Sequence, residues 1–206
     1  MLYIIITASI FNKVGIQNNK HRQDRYVECI SSVVNMTKNN SQIKTIVVEN
    51  NGQRSTFLDE LGCDVVYTNN NYKMYCHKGI NELEDIKYVI EKYNIEDNDK
   101  IIKLTGRYKL LNDSFLQTVQ TTNFDAYVKF FNVCTLQYMY ADCVLGLYAI
   151  KCKFLKEFEY CKTYNNSPEV EFATYIRETI AESKLCDIKK LDLECCFADN
   201  LKILIV

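Results

Sequence analysis

Residues Lys100-Ile101-Ile102-Lys103-Leu104-Thr105-Gly106-Arg107-Tyr108 decide the fold. A short apolar strand, Lys100 to Leu104, runs straight into a turn hinged on Gly106 that carries a guanidinium and a phenol. In an α/β chain such a strand end delivers polar groups to the mouth of the sheet, where ligands bind. Just ahead, His77-Lys78-Gly79-Ile80-Asn81-Glu82-Leu83 opens an amphipathic helix predicted over Asn81 to Tyr93. Leu83, Ile86, Val89, Ile90 and Tyr93 form its apolar face. Glu82, Glu84, Asp85, Lys87, Glu91 and Lys92 form the polar one.

Working outward, Leu2 to Ala8 is a near-continuous apolar run, as expected for a strand covered on both faces. A polar loop from Asn12 to Gln23 precedes a helix over Arg25 to Met36, with Tyr26, Cys29, Ile30, Val33 and Val34 at helical spacing. Ile43 to Val48 reads as a second strand ending at the turn Glu49-Asn50-Asn51-Gly52. Ser55 to Leu61 reads as a short helix stopped by Gly62, and Asp64 to Tyr67 as a third strand ending in Asn69-Asn70-Asn71. This alternation predicts a largely parallel sheet with helices on both sides. The second half reads as strands at Ala126 to Val133 and Asp142 to Ile150, separated by the tyrosine-rich Thr135 to Ala141. Helices follow at Phe154 to Cys161 and Glu169 to about Ser183, then a last strand at Leu201 to Val206. With no linker or repeat, residues 1–206 read as one domain.

The composition narrows the function classes. At 206 residues with 48% hydrophobic and 25% charged content, the chain can bury a substantial core. A net charge of -1 argues against a nucleic-acid partner. No apolar run approaches the roughly 20 residues needed to span a bilayer, and Met1 to Ile10 lacks the basic start and cleavage site of a signal peptide. The ten cysteines include no CxxC, and only His21 and His77 could join them, so free thiols in a reducing cytoplasm are expected rather than disulfides or zinc. The P-loop, the GxGxxG fingerprint and the hydrolase and metalloprotease signatures are all absent.

Candidate chemistry therefore sits at the strand ends. Thr7, Ala8 and Ser9 are small enough to let a base or ribose approach the backbone, or simply make a tight turn. Glu49 and Asn50 can accept from and donate to ribose hydroxyls or a base, or serve the turn itself. Lys78 and Gly79 open a helix whose orphan N–H groups favour an anion. Arg107, beside Thr105 and Gly106, offers a planar fork suited to phosphate oxygens. At neighbouring strand ends, Lys78 and Arg107 suit a diphosphate; each alone suits solvent equally well. Ser167-Pro168-Glu169 makes a sound helix start. Glu169 either complements the helix dipole or acts as a general base. Asp142, preceded by Tyr138 and Tyr140, is a rival carboxylate.

These pieces, in order, resemble a known family. An Arg-Tyr helix, Val-Val-Glu-Asn-Asn-Gly, Tyr-Thr-Asn-Asn-Asn, Lys-Gly-x-x-Glu-Leu, Lys-Leu-Thr-Gly-Arg-Tyr and the Ser-x-Glu-x-x-x-Ala element at Ser167, Glu169 and Ala173 are similar to small GT-A-type glycosyltransferases of large DNA viruses and bacterial surface-polysaccharide clusters. The resemblance implies a GT-A-like, Rossmann-like three-layer sandwich. It implies a UDP- or GDP-linked sugar donor held by about residues 1–110, with base and ribose near Thr7 and Glu49 and phosphates near Lys78 and Arg107. It further implies a glycan acceptor held by about residues 111–206, and a cytoplasmic protein, in a host cell if viral.

GT-A enzymes usually carry Asp-x-Asp after the fourth strand to hold Mn²⁺ or Mg²⁺. Here Thr105-Gly106-Arg107 stands in that place, so the expectation is metal-independent transfer with Arg107 neutralising the leaving diphosphate. Glu169 is expected to deprotonate the acceptor, with Asp142 second. Two rivals stand beside this reading. One is a non-catalytic nucleotide- or glycan-binding module. The other is a nucleotidyltransferase, against which the lack of a Gly-rich basic loop after the first strand counts.

Overall fold

A computed structural model describes residues 1–12, 20–52, 54–130, 141–163, 167–197 and 202–206. In chain order the elements are β1 (Leu2–Ala8), α1 (Lys20–Thr37), β2 (Ile43–Glu49), β3 (Asp64–Tyr67), α2 (Lys78–Lys92), β4 (Lys100–Thr105), β5 (Lys109–Leu110) and α3 (Ser114–Thr121). They continue with β6 (Ala126–Val128), β7 (Leu147–Lys151), α4 (Cys152–Glu157), α5 (Pro168–Thr179), β8 (Leu185–Asp187), β9 (Leu193–Cys196) and β10 (Ile203–Ile205). Short 3-10 turns lie at Phe57–Glu60 and Asn70–Tyr72.

The main sheet has seven strands in the order β3-β2-β1-β4-β7-β6-β8. Neighbours pair in parallel except around β7, which runs antiparallel to both β4 and β6. The sheet is therefore the mostly parallel one the alternation predicts. Chain order steps outward from β1 to β2 and β3, then returns to β4 on the other side of β1. Between β1 and β4 lies the topological switch point, outside whose carboxyl ends ligands bind in open α/β sheets.

Alternation along the central strands divides the core. Ile5, Ile101 and Ile46 face α2, α4 and α5, while Ile4, Ile6, Ile102 and Leu104 face α1 and α3. Both faces are covered, so β1 and β4 are buried along nearly their whole length. The result is a three-layer, Rossmann-like α/β domain.

Several boundaries depart from the sequence reading. The first helix begins at Lys20, inside the stretch expected to be loop. The strand expected over Ala126 to Val133 stops at Val128, and that over Asp142 to Ile150 begins only at Leu147, with Cys143 in an isolated bridge to Phe130. The last helix ends at Thr179. Cys134, Tyr138 and Tyr140 lie outside the described residues. α3, β5, β8 and β9 had no expectation; β10 falls within the expected last strand and joins β9 and β5 in a small antiparallel sheet. All nine described cysteines are free. No helix among the described residues is long and apolar enough to cross a membrane.

Candidate functional site

The crevice begins at the end of β1. The Gly106 N–H donates to the Thr7 carbonyl at 2.8 Å, stitching the turn after β4 to the end of β1. A Cβ on Gly106 would lie 3.0 Å from that carbonyl oxygen and from the Tyr26 ring, so glycine is needed for the close approach. Tyr26, from α1, places its hydroxyl under the next residue and accepts the Ser9 N–H at 3.3 Å. Arg22, one turn earlier and only 4% exposed, donates to the Ser9 carbonyl at 3.1 Å and to the Tyr26 hydroxyl at 3.4 Å.

Arg107 belongs to the same corner. Its Nε donates to the Cys196 carbonyl at 2.8 Å, and its guanidinium lies over the Tyr108 ring, 5.4 Å from the centroid. Arg25 holds the neighbouring turn, donating to the Arg107 carbonyl at 3.1 Å and pairing with Glu194 at 2.5 Å. Thus Arg107 ties the end of β4 to the small sheet through β9. None of the hydrogen bonds described for it reaches Lys78.

On the β2 and β3 side the polar residues form one network. Glu49 is fully buried, and its Oε1 accepts from the Ile10 N–H at 3.1 Å, Asn51 Nδ2 at 2.6 Å and Arg54 at 3.4 Å. Its carboxylate therefore shapes the loops after β1 and β2. Asn51 passes the network to Ser9 Oγ at 3.2 Å and accepts from Asn71 Nδ2 at 2.7 Å. Lys78 Nζ closes the chain on Asn71 Oδ1 at 3.0 Å. Ser9, Glu49 and Lys78 are thereby brought together.

A second centre was invisible in the sequence. Asp85, assigned above to the polar face of its helix, is fully buried. It accepts from Thr68 Oγ1 at 2.6 Å, Asn70 Nδ2 at 2.8 Å and Asn50 Nδ2 at 2.9 Å. Burial pushes its carboxyl up to about 6, against the pull of those three donors. Asp85 is thus the post to which the loops after β2 and β3 are tied. Glu82 likewise turns inward, pairing at 2.8 Å with Lys103, a buried lysine that also donates to Thr105 Oγ1 at 2.8 Å. A carboxylate every third residue on an amphipathic helix signals only solvent exposure; the burial of Asp85 and the inward turn of Glu82 are tertiary facts.

Among the described residues, three at the ends of β1, β2 and the start of α2 carry buried polar atoms with no hydrogen-bond partner. They are the Thr7 hydroxyl, the Asn50 carbonyl oxygen and both ring nitrogens of His77, the residue capping α2. Such groups are costly unless something pairs with them.

The starts of α2 and α5 meet. A Cβ on Gly79 would come 2.8 Å from Pro168 Cβ, so the two helices abut through the missing side chain. Glu169 sits in the first turn of α5 and accepts from the Ser167 hydroxyl at 2.7 Å. That hydroxyl is consequently not the backbone cap the sequence suggested. Asp142 is buried beside the Phe130–Cys143 bridge. At the end of β4 the available groups are a hydroxyl, a bare glycine and a guanidinium. Among the described residues no three His, Cys, Asp or Glu side chains converge.

Fold and site together define a Rossmann-like α/β domain with a polar crevice at the switch point of its sheet. Among solved structures it is similar to a cytidylyltransferase from Leptospira borgpetersenii serovar Hardjo-bovis (strain JB197), with a TM-score of 0.53, 11% identity, and 91% of this chain and 75% of that one covered. It is also similar to the inositol-1-phosphate CTP transferase from T. maritima, with a TM-score of 0.51, 15% identity, and 90% and 84% covered. At such identities the likeness is one of fold. No protein-family model matches the chain, and no curated protein matches its sequence.

Proposed function

We propose that this protein is a transferase that binds a nucleotide sugar across the carboxyl ends of β1, β2 and β4 and moves the sugar to a glycan hydroxyl. The observation that carries this reading is the trio of buried, unpartnered polar groups at Thr7, Asn50 and His77, on the α2 side of the crevice. A hydroxyl- and amide-rich ligand that displaces the groups covering them supplies their missing partners. Lys78 and the open turn of α2 face the diphosphate. Arg107, at the end of β4, adds a charge that never titrates near neutrality.

In the reaction the acceptor oxygen bonds to the anomeric carbon as the bond from that carbon to the diphosphate oxygen breaks. Glu169 takes the acceptor proton, and the nucleoside diphosphate leaves with its charge balanced by Lys78 and Arg107. The α2–α5 contact at Gly79 and Pro168 supports this, because it sets the start of α2 beside the first turn of α5.

The test is a thermal-shift panel of UDP-, GDP-, dTDP- and CMP-linked sugars. A true donor at about 100 times its dissociation constant adds roughly 2.7 kcal/mol of stability. Slow release of nucleoside diphosphate should follow, and Arg107→Lys should weaken both. If no nucleotide sugar stabilises the protein, the reading fails. The fold shared with a cytidylyltransferase and an inositol-1-phosphate CTP transferase favours one rival, nucleotidyl transfer. That rival is distinguished by its products, since CTP with a sugar phosphate would yield pyrophosphate rather than a nucleoside diphosphate.

A further inference from the structure

Beside α5 lies a groove of about 770 Å³ that the crevice does not include. Its volume is that of a small-molecule site. One wall is the Glu157–Cys161 segment after α4, and the other is α5 from Ser167 to Glu178. Four of its lining residues are glutamates, at 157, 159, 171 and 178, and none is a lysine or arginine. Lys87 pairs with Glu159 from outside the groove. Among the described residues Glu157, Glu171 and Glu178 have no cationic partner.

Two further features set this apart from an ordinary acidic surface. The groove is floored by aromatic rings: Phe158, Tyr160 and Tyr175 line it, with the Phe158 centroid 4.6 Å from Tyr160 and 4.8 Å from Tyr175. And Glu171 is only half satisfied. Its Oε2 accepts the Cys161 N–H at 2.8 Å, while its Oε1 is buried with no partner. A buried carboxylate oxygen without a donor is expensive. Turned into the groove, that oxygen would be met by a ligand N–H or ammonium.

The groove also runs toward the reacting end of the molecule. Ser167, one of its lining residues, donates to Glu169, and Tyr160 on its floor packs edge-on against His77 with centroids 5.0 Å apart.

We infer that this groove is the acceptor site and that the acceptor is a glycan bearing unacetylated amino sugars, whose ammonium groups face Glu157, Glu171 and Glu178 and whose rings lie on the aromatic floor. Aromatic faces favour both sugar rings and cations. The inference rests on the glycosyl-transfer reading for the word acceptor. The binding itself is measurable without any donor.

The probe is the glucosamine trimer, compared by calorimetry with its fully N-acetylated counterpart and with spermidine, at low and high salt. The cationic trimer should bind at least tenfold more tightly than both controls, and its affinity should fall with salt. Glu171→Gln should weaken it about tenfold. Glu178→Gln, at an exposed position, should weaken it several-fold. Equal binding of the acetylated and free trimers, or binding indifferent to both variants, would overturn the assignment. Tighter binding of spermidine would replace the glycan with a linear polyamine and overturn it too. If the trimer fails while a nucleotide sugar stabilises the protein, only this inference falls. If the trimer binds and no nucleotide does, the groove stands and the transferase reading falls.

Discussion

Asp85 offers the sharpest test of the buried network. Its carboxyl stands at about 6 in the folded protein against 3.8 for an ordinary aspartate, with burial as the cause. A gap of about two pH units, at roughly 1.4 kcal/mol each, is worth about 3 kcal/mol. Between those two values the folded chain holds a proton that the unfolded chain has released. Stability from this group is therefore complete below about pH 4 and is lost as pH rises through about 6. Asp85→Asn removes the titration at nearly constant volume. Its new amide can be met by the Asn50 carbonyl oxygen, which has no partner now, after a flip of that side chain.

Urea unfolding of both proteins, followed by circular dichroism at half-unit steps from pH 4.5 to 7.5, gives the difference directly. The stability of the native protein relative to the variant should decline by about 2 kcal/mol across that range. A difference flat to within about 0.5 kcal/mol would refute the reasoning, because it would mean that Asp85 is ionised throughout.

Gly146→Ala should destabilise by about 1–3 kcal/mol in the same assay, since a Cβ there would lie 2.1 Å from the Tyr108 ring, which cannot retreat without disturbing the β4 turn. Glu169→Gln should lower transfer to acceptor by about 10²–10⁴-fold while leaving nucleotide-sugar affinity, read by calorimetry, unchanged. Full activity in that variant would remove Glu169 as the base. Arg107→Ala should cost about 1–3 kcal/mol of stability as well as donor binding, because its bond to the Cys196 carbonyl is lost.

How much was legible in advance follows from the range of the interactions involved. β1, β2, β3 and β4 could be read because each is a local apolar run bounded by turn residues, and covering both faces of a sheet leaves that mark in the sequence. The positions of Thr7, Asn50 and Lys78 at strand and helix ends followed from the same pattern. β5 has two residues and β9 four, and their pairing joins segments more than eighty residues apart, so no local period could announce them. The Arg22–Tyr26 pair was equally hidden, for it gains meaning only where α1 crosses the end of β1.

The sequence by itself determined an alternating α/β chain with polar groups at the ends of its central strands, because side-chain periodicity is a property of neighbours along the chain. Only the tertiary structure decided what those groups do. It turned Glu49 and Asp85 inward as loop anchors and bound Arg107 to the small sheet. It left Thr7, Asn50, His77 and Glu171 with unmet hydrogen bonds, because burial and partnership depend on which distant segments the fold brings alongside.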